Sequence, residues 1–478
     1  MIAKLLKQGM HYASGTLLLS IASLVSFPLL TRYLPIDQYG MLSLLTTLSG
    51  LFVAMYKFGL QQSIIRYFSR DNVFSSSILY SFVLSIFLVT IFLSSVYVFI
   101  DTNYKFLSIL ILISIFQSFR SIILSGYAAR EETVYVNLVN VLYKYGSLGL
   151  MILFIFYYEM SAISVLLSIL LADILIFTFL TFSWLRTFTI VKPKIETIRL
   201  LMIYGSPLML AEIVQMSHAF VDRFLIEYYF DIEHVAIYVA PYSMSKIVAD
   251  IIFGGLAVAI VPIYMGLWNK GEYRLTSELL TKVSDYYLLI FPISVGGLYL
   301  IAPALMEILA SEKYAGTAYI MPIAFLGVGM FSSTFIYSAG IRLKNSQAPI
   351  LQYVTESLLL NVGLNIMFLS EFGIQASAWA TVASYFWMSL RFYLASKPTI
   401  SIKFNWANLL SGVSIGLVLL GLKVVLPVNE NVFLEIFYKL SIGAVVSMFL
   451  LLLLSSSIRG DTKKVCALIL NKFYCRTK

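Results

Sequence analysis

The sequence predicts an all-α polytopic membrane protein of about 14 transmembrane helices, and three observations predict it. Hydrophobic residues make up 60% of the 478-residue chain and charged residues only 12%, well off the soluble average in both directions. Fourteen long apolar runs divide the sequence, most holding the roughly 20 apolar residues that a bilayer-spanning helix needs. The basic residues then fall in alternate gaps between those runs. A soluble domain has no way to cover so much apolar surface.

In order, the runs lie near 9–31, 41–65, 75–100, 106–128, 134–157, 161–184, 199–227, 235–266, 284–306, 317–341, 348–370, 373–395, 407–426 and 432–456. Lys4 and Lys7 before the first run resemble a signal peptide. The run is too long for one, however, and leads into Thr31-Arg32-Tyr33-Leu34-Pro35 with no small-residue cleavage site, so it reads as the first permanent span. One set of alternate gaps, with both termini, holds 24 of the 33 Lys and Arg residues, among them Lys57, Arg66, Arg70, Arg130, Arg342 and Arg391. The other set holds only Arg32, Lys105, Lys313, Lys423 and Lys439. The positive-inside rule therefore expects both termini in the cytoplasm. Arg120, Lys144, Arg223 and Lys246 remain, inside runs.

The net charge of +9 belongs mainly to loops and a basic tail, where anionic headgroups are the natural partner; it does not indicate nucleic acid. Cys466 and Cys475 lie in that tail, on the reducing side, which argues against a disulfide. In the same tail, Val465, Leu468, Ile469 and Phe473 alternate with basic residues from Arg459 to Lys478. That pattern is expected either of an interfacial amphipathic helix or of a frayed terminus that enforces topology. No Ser/His/Asp set, metal-ligand cluster or P-loop is visible, and His11, His218 and His234 are scattered. Neither a cofactor nor an enzyme activity is expected.

The stretch 185–198, with Pro193, is a candidate linker between two halves, and 396–403 sets off the last two runs. The halves are weakly repetitive. Tyr12-Ala13-Ser14-Gly15 is echoed by Tyr204-Gly205-Ser206-Pro207, and Thr31-Arg32-Tyr33-Leu34 by Asp222-Arg223-Phe224-Leu225. Parallel repeats of this kind occur in transporters, although apolar sequence also matches itself by chance.

Ionisable groups near the bilayer centre cost from about 2.5 kcal/mol upward, so they face a partner or water. Arg120, Lys144, Asp173 and Glu212 all lie near mid-depth, with no evident partner on their own helices. They either pair between helices or line a shared aqueous cavity. Lys246 and Asp250, and likewise His218 and Asp222, are four apart and share a helix face. For the first pair an internal ion pair competes with a ligand role. For His218, a buried hydrogen-bonding role competes with proton carriage. Glu356 lies about a third of the way into its run. Four basic side chains at membrane depth favour an anionic cargo, and guanidinium suits phosphate.

Several segments carry a family resemblance. They are Ser14-Gly15 through Pro28-Leu29-Leu30-Thr31-Arg32-Tyr33-Leu34-Pro35, Gln38-Tyr39-Gly40, Phe58-Gly59-Leu60 with Ile65-Arg66-Tyr67, and Asp222-Arg223-Phe224 with Ile237-Tyr238. Together they resemble Wzx-type polysaccharide flippases of the MATE-like superfamily of multidrug, oligosaccharidyl-lipid and polysaccharide exporters. Ala236 stands where that family usually has Gly. The resemblance implies a six-helix lobe over 1–197, a second over 198–405, a central cavity between them, and two added helices with the tail over 406–478. It also implies alternating access for a lipid-linked oligosaccharide on undecaprenyl pyrophosphate, in the bacterial cytoplasmic (inner) membrane. The product would be surface polysaccharide such as the O-antigen of lipopolysaccharide. A polysaccharide polymerase and a chain-length regulator are the implied protein partners, beside membrane lipids.

On that resemblance, Arg32, Arg66, Arg120, Lys144, Arg223 and Lys246 meet the pyrophosphate or acidic sugars. Asp173, Glu212, His218, Asp222, Asp250 and Glu356 balance charge or couple protons. A peptidoglycan lipid-precursor flippase has the same span count and stays open. A cation-coupled multidrug exporter usually has twelve spans and an acidic cavity. A membrane glycan polymerase needs a sizeable extracytoplasmic loop, and none is present.

Overall fold

A computed structural model describes residues 2–69, 72–97, 104–130, 132–157, 161–187, 189–344, 348–429 and 431–454. Arg70 and the tail with Cys466, Cys475 and the expected amphipathic segment lie outside them. No strand is present among the described residues.

Over the described residues each predicted run is formed by one or more helices. The first half comprises α1 (Ile2–Tyr33), α2 (Ile36–Lys57), α3 (Leu60–Tyr67), α4 (Asn72–Tyr97), α5 (Tyr104–Ala129), α6 (Thr133–Tyr157) and α7 (Ala162–Thr187). There follow α8 (Ile195–Tyr229), α9 (Ile232–Ala249), a π-helical turn over Asp250–Gly254, α10 (Gly255–Trp268), α11 (Tyr273–Ala310) and α12 (Ile320–Ser332). The chain ends in α13 (Thr334–Tyr337), α14 (Ala339–Leu343), α15 (Ala348–Phe372), α16 (Gln375–Ser396), α17 (Trp406–Val425) and α18 (Val432–Leu454). Among the described residues, 13 stretches are long and apolar enough to cross a membrane. The run left out is the twelfth, α16, whose serines, tyrosines and Arg391 dilute its apolarity. It packs between α12 and α15, where Ser377, Thr381, Ser384 and Ser389 are buried.

Lipid gives helices no hydrophobic reason to associate, so small residues and interhelical hydrogen bonds hold them together. Ser49 and Ser114 hydroxyls lie 3.1 Å apart, and Ser118 donates to the Val53 carbonyl at 3.2 Å, which joins α2 to α5. Ser245 donates to Met321 O at 2.7 Å between α9 and α12, and Ser357 to Ser384 O at 2.7 Å between α15 and α16. Gly412 and Gly416, one turn apart on α17, lie against the α11 backbone. A Cβ on Gly412 would come 2.6 Å from Leu289 O, and one on Gly416 2.7 Å from Pro292 O. Large apolar side chains such as Phe87, Leu175, Leu359 and Phe437 point outward.

The second run breaks where Phe58 (φ 48°) and Gly59 (φ 64°) both turn left-handed. A β-carbon at Gly59 would overlap the Gly205 backbone of α8. This backbone crossing seats the first half of α8 among α3 and α4, and Leu201 joins the apolar cluster of Leu60, Ile64 and Phe119. Beyond Pro207, α8 packs instead along α2 and α15.

At the other end of the bundle, two helix C-termini cap each other. Thr31 on α1 donates to Leu309 O of α11 at 3.2 Å, and Arg32 donates to Ile308 O. In return Lys313, just past α11, donates to Leu34 O at 2.7 Å. Cationic donors suit helix C-terminal carbonyls on both dipole and hydrogen-bond grounds. Tyr39 and Tyr314 add an edge-to-face contact with centroids 5.9 Å apart. We call this the Pro35 end and the opposite one the Pro193 end.

Candidate functional site

Among the described residues, three clusters of charged groups lie inside the first ten helices and their partners, beside the separate pairs Glu356–Arg391 and Glu435–Lys439. In the first, Gln117 and Arg120 share a face of α5 by their three-residue spacing, opposite Tyr143 on α6 and Asp173 on α7. Arg120 lies 3.5 Å from the Tyr143 ring centroid, a cation–π contact, and its Nε is 3.9 Å from Asp173 Oδ1. Buried Asp173 also accepts from Gln117 at 3.1 Å and from the Tyr143 hydroxyl at 3.4 Å. Of the alternatives left open by sequence, pairing between helices holds for Arg120 and Asp173.

Half-buried Lys144 lies next along α6, within electrostatic range of Arg120 and of Lys246. Among the described residues neither lysine has an ion pair within 4.0 Å. Lys246 and Asp250 share a face, yet both are exposed and they form no ion pair. The π-helical turn that starts at Asp250 adds a residue to the helix there, so the regular one-turn spacing ends at that point. Such turns are frequent at functional sites.

The second cluster surrounds Asp222 on α8. This buried carboxylate accepts from the Tyr238 hydroxyl at 3.2 Å, Asn365 at 3.1 Å and Thr381 at 2.7 Å. Asn361, one turn before Asn365 on α15, orients that amide through a 3.2 Å hydrogen bond. All its donors are neutral. Buried His218, one turn earlier, lies against Tyr385 at 5.1 Å between ring centroids. Arg223 turns away from Asp222 and donates to Ser43 O at 2.9 Å and to the Thr47 hydroxyl, both on α2.

The third cluster centres on Glu212, which pairs with Lys57; Lys57 also reaches Gln61 Oε1 at 3.5 Å. Sequence counting assigned Lys57 to a loop, and the structure corrects that: Lys57 is 7% exposed. Its place inside the run 41–65 was the signal. Arg391 is a second correction of the same kind. Assigned to a loop although inside the run 373–395, it pairs with Glu356 at 2.9 Å, which thereby has its own counter-charge. The basic asymmetry between the two ends survives removal of both.

Arg66 and Arg32 lie at opposite ends of the bundle. Exposed Arg66 stacks on Tyr204 at 5.2 Å and Tyr67 at 5.7 Å, and Arg32 takes part in the Pro35-end capping. The sequence reading missed Gln117, Tyr143, Tyr238, Asn361, Asn365 and Thr381. The two asparagines were legible as amides four apart in an apolar run, whereas the hydroxyls resemble ordinary packing residues. No group of three or more His, Cys, Asp or Glu suited to a metal ion occurs among the described residues.

Several comparisons bear on this arrangement. The model of a family described as polysaccharide biosynthesis protein matches residues 5–268. A search among curated proteins finds no match. A solved structure described as "Lipid II flippase MurJ, inward closed conformation" superposes with TM-score 0.76 at 15% identity, covering 92% of this chain and 98% of that one. An inward-facing multidrug resistance MATE transporter of the MOP superfamily gives TM-score 0.57 at 14% identity, covering 83% and 93%. A MOP superfamily transporter from Pyrococcus furiosus, described as having a binding pocket of reverse polarity, gives 0.59 at 14% identity, covering 83% and 94%. The fold is therefore that of MurJ and the MATE transporters, and by the match over 5–268 the chain belongs to the polysaccharide biosynthesis protein family.

Proposed function

We propose that the chain is a flippase for undecaprenyl-pyrophosphate-linked oligosaccharide repeat units, moving them from the cytoplasmic to the outer leaflet for surface polysaccharide synthesis. The observation that carries this reading is the cationic group at mid-depth. Among the described residues Lys144 and Lys246 hold no counter-ion within 4.0 Å, and Arg120 has Asp173 only at 3.9 Å. Uncompensated positive charge inside a bilayer is costly, and an anionic cargo offsets that cost during passage. The diphosphate is the chemistry that these three side chains fit.

In this reading the Pro193 end faces the cytoplasm, where Lys and Arg are concentrated. Residues 1–197 and 198–405 act as two lobes rocking about the cavity, with 406–478 as an appendage. Asp173, Glu212 and Glu356 balance the cations they touch, which leaves Asp222, with His218 nearby, and Asp250 as the acids available for proton coupling.

The test is complementation of a strain lacking its repeat-unit flippase. Arg120→Ala and Lys144→Ala, made singly, should each abolish surface glycan while protein levels stay normal. Wild-type glycan in both variants would sink the reading. Rescue of a strain depleted of its peptidoglycan-precursor flippase, without rescue of surface glycan, would assign the same diphosphate chemistry to a different cargo.

A further inference from the structure

At the Pro193 end, the first half of α8 and the end of α3 flank a groove of about 700 Å³. The two helices run antiparallel there. Gly59 meets Gly205, and Ser63 donates to Leu201 O at 3.0 Å, so Arg66 and Tyr67 come level with the first turn of α8. Along α8 the groove extends from Glu196 to Leu208, which at about 1.5 Å per residue is roughly 18 Å. One leaflet, about half of the 40–45 Å of a bilayer with its headgroups, is nearly as thick. Polarity changes along that length. Arg199 stands near the start of α8, and Leu200, Ile203, Pro207 and Leu208 follow toward the membrane interior.

The cationic end is built rather than merely charged. Arg66 stacks on the Tyr204 ring at 5.2 Å and the Tyr67 ring at 5.7 Å, and those rings meet edge-to-face with centroids 5.3 Å apart. Stacking engages the flat face of a guanidinium, while its N–H donors radiate from the edge and suit a phosphate. Among the described residues neither Arg66 nor Arg199 has an ion pair within 4.0 Å, although Glu196 is one turn from Arg199. Lys192 and Lys194, just before α8, add further positive charge. At the apolar end, Leu200 and Ile203 are 44% and 61% exposed, which suits hydrocarbon rather than water. An anionic phosphate head on an acyl chain has the same polarity along its length, and basic recesses between spans attract such headgroups.

We propose that this groove holds an anionic phospholipid of the surrounding membrane, its phosphate on Arg66 and Arg199 and one acyl chain along Leu200, Ile203, Pro207 and Leu208. Arg120, Lys144 and Lys246 take no part, so the site stands whatever cargo the chain carries. Its occupant fills the space beside the Gly59–Gly205 crossing and braces α3 against α8 with a molecule that the bilayer itself supplies.

The experiment titrates the purified full chain in detergent with dioleoyl phosphatidylglycerol or dioleoyl phosphatidylcholine and counts bound lipid by native mass spectrometry. Wild type should hold one phosphatidylglycerol in preference to phosphatidylcholine. Arg66→Gln combined with Arg199→Gln should weaken that binding by about thirtyfold, since each basic residue beside anionic lipid contributes roughly fivefold. Lys192→Gln combined with Lys194→Gln removes the same charge outside the groove and should leave the binding intact. If the double arginine variant fails to fold, Arg199→Gln alone stands in, with about a fivefold loss. Equal weakening in the arginine and lysine variants would show diffuse surface attraction and overturn the site. Unchanged affinity in the folded arginine variants, or no preference in wild type, would overturn it too. Displacement of the bound phosphatidylglycerol by equimolar undecaprenyl diphosphate would assign the groove to the carrier lipid and overturn the phospholipid assignment.

Discussion

Asp222 and Asp173 are both buried acids in lipid-spanning helices, but they are satisfied differently, and the difference bears on what each can do. Asp173 has Arg120 beside it, whereas Asp222 is held by two hydroxyls and an amide. A carboxyl with only neutral donors gains or loses a proton without breaking an ion pair, which suits a coupling role. Asp222→Asn tests this. Its amide oxygen can keep the Tyr238 and Thr381 hydrogen bonds, while its nitrogen faces the Asn365 amide, which can turn its oxygen to accept. Normal protein levels and lipid binding with loss of surface glycan are expected; wild-type glycan in this variant removes Asp222 from coupling. Little of this could be read from the chain, because the donors lie 16, 143 and 159 residues away in sequence. The cations were more legible, since a charge within an apolar run is conspicuous. Lys57 escaped because its run ends in a basic loop and a charge count absorbs it.

Helices form here wherever the apolar runs lie, which is why their number and order were legible in the sequence. Their breaks were less so. The sequence Phe58-Gly59 sits inside an apolar run, and only the α8 backbone pressed against it explains why two successive residues turn left-handed. Gly205 is the matching half of that crossing. A Cβ there would meet Phe58 O, with Gly59 C and Ser63 Oγ each 3.1 Å away, so Gly205→Ala must push α8 off α3. Overpacking of this kind costs about 1–3 kcal/mol, expected as a lower Tm of the purified protein in detergent. An unchanged Tm would mean that the two helices separate freely. The π-helical turn at Asp250 was equally hidden, because nothing in Asp250-Ile251-Ile252-Phe253-Gly254 distinguishes it from a regular turn.

The bundle as a whole is tied at its two ends by different means. At the Pro193 end, the glycine crossing and the Lys57–Glu212 pair join α8 to α2 and α3. At the Pro35 end, α1 and α11 cap each other. Under the proposed alternating access the Pro35-end contact has to part, so weakening it should favour that opening. Thr31→Val combined with Lys313→Met removes two donors without adding bulk. Spin labels at exposed positions 33 and 319 should then show a longer distance distribution; an unaltered distribution would mean that the capping does not hold this end shut. The acceptors of this contact are Leu34 O, Ile308 O and Leu309 O, all main-chain atoms. Any helix-compatible residue at 308 or 309 presents the same oxygen, so those two positions can drift through evolution without loss of closure, whereas Leu34 is also held by its burial in the core. Only the donor positions 31, 32 and 313 carry inheritable information about it, and covariation between the two sides of the contact should be absent.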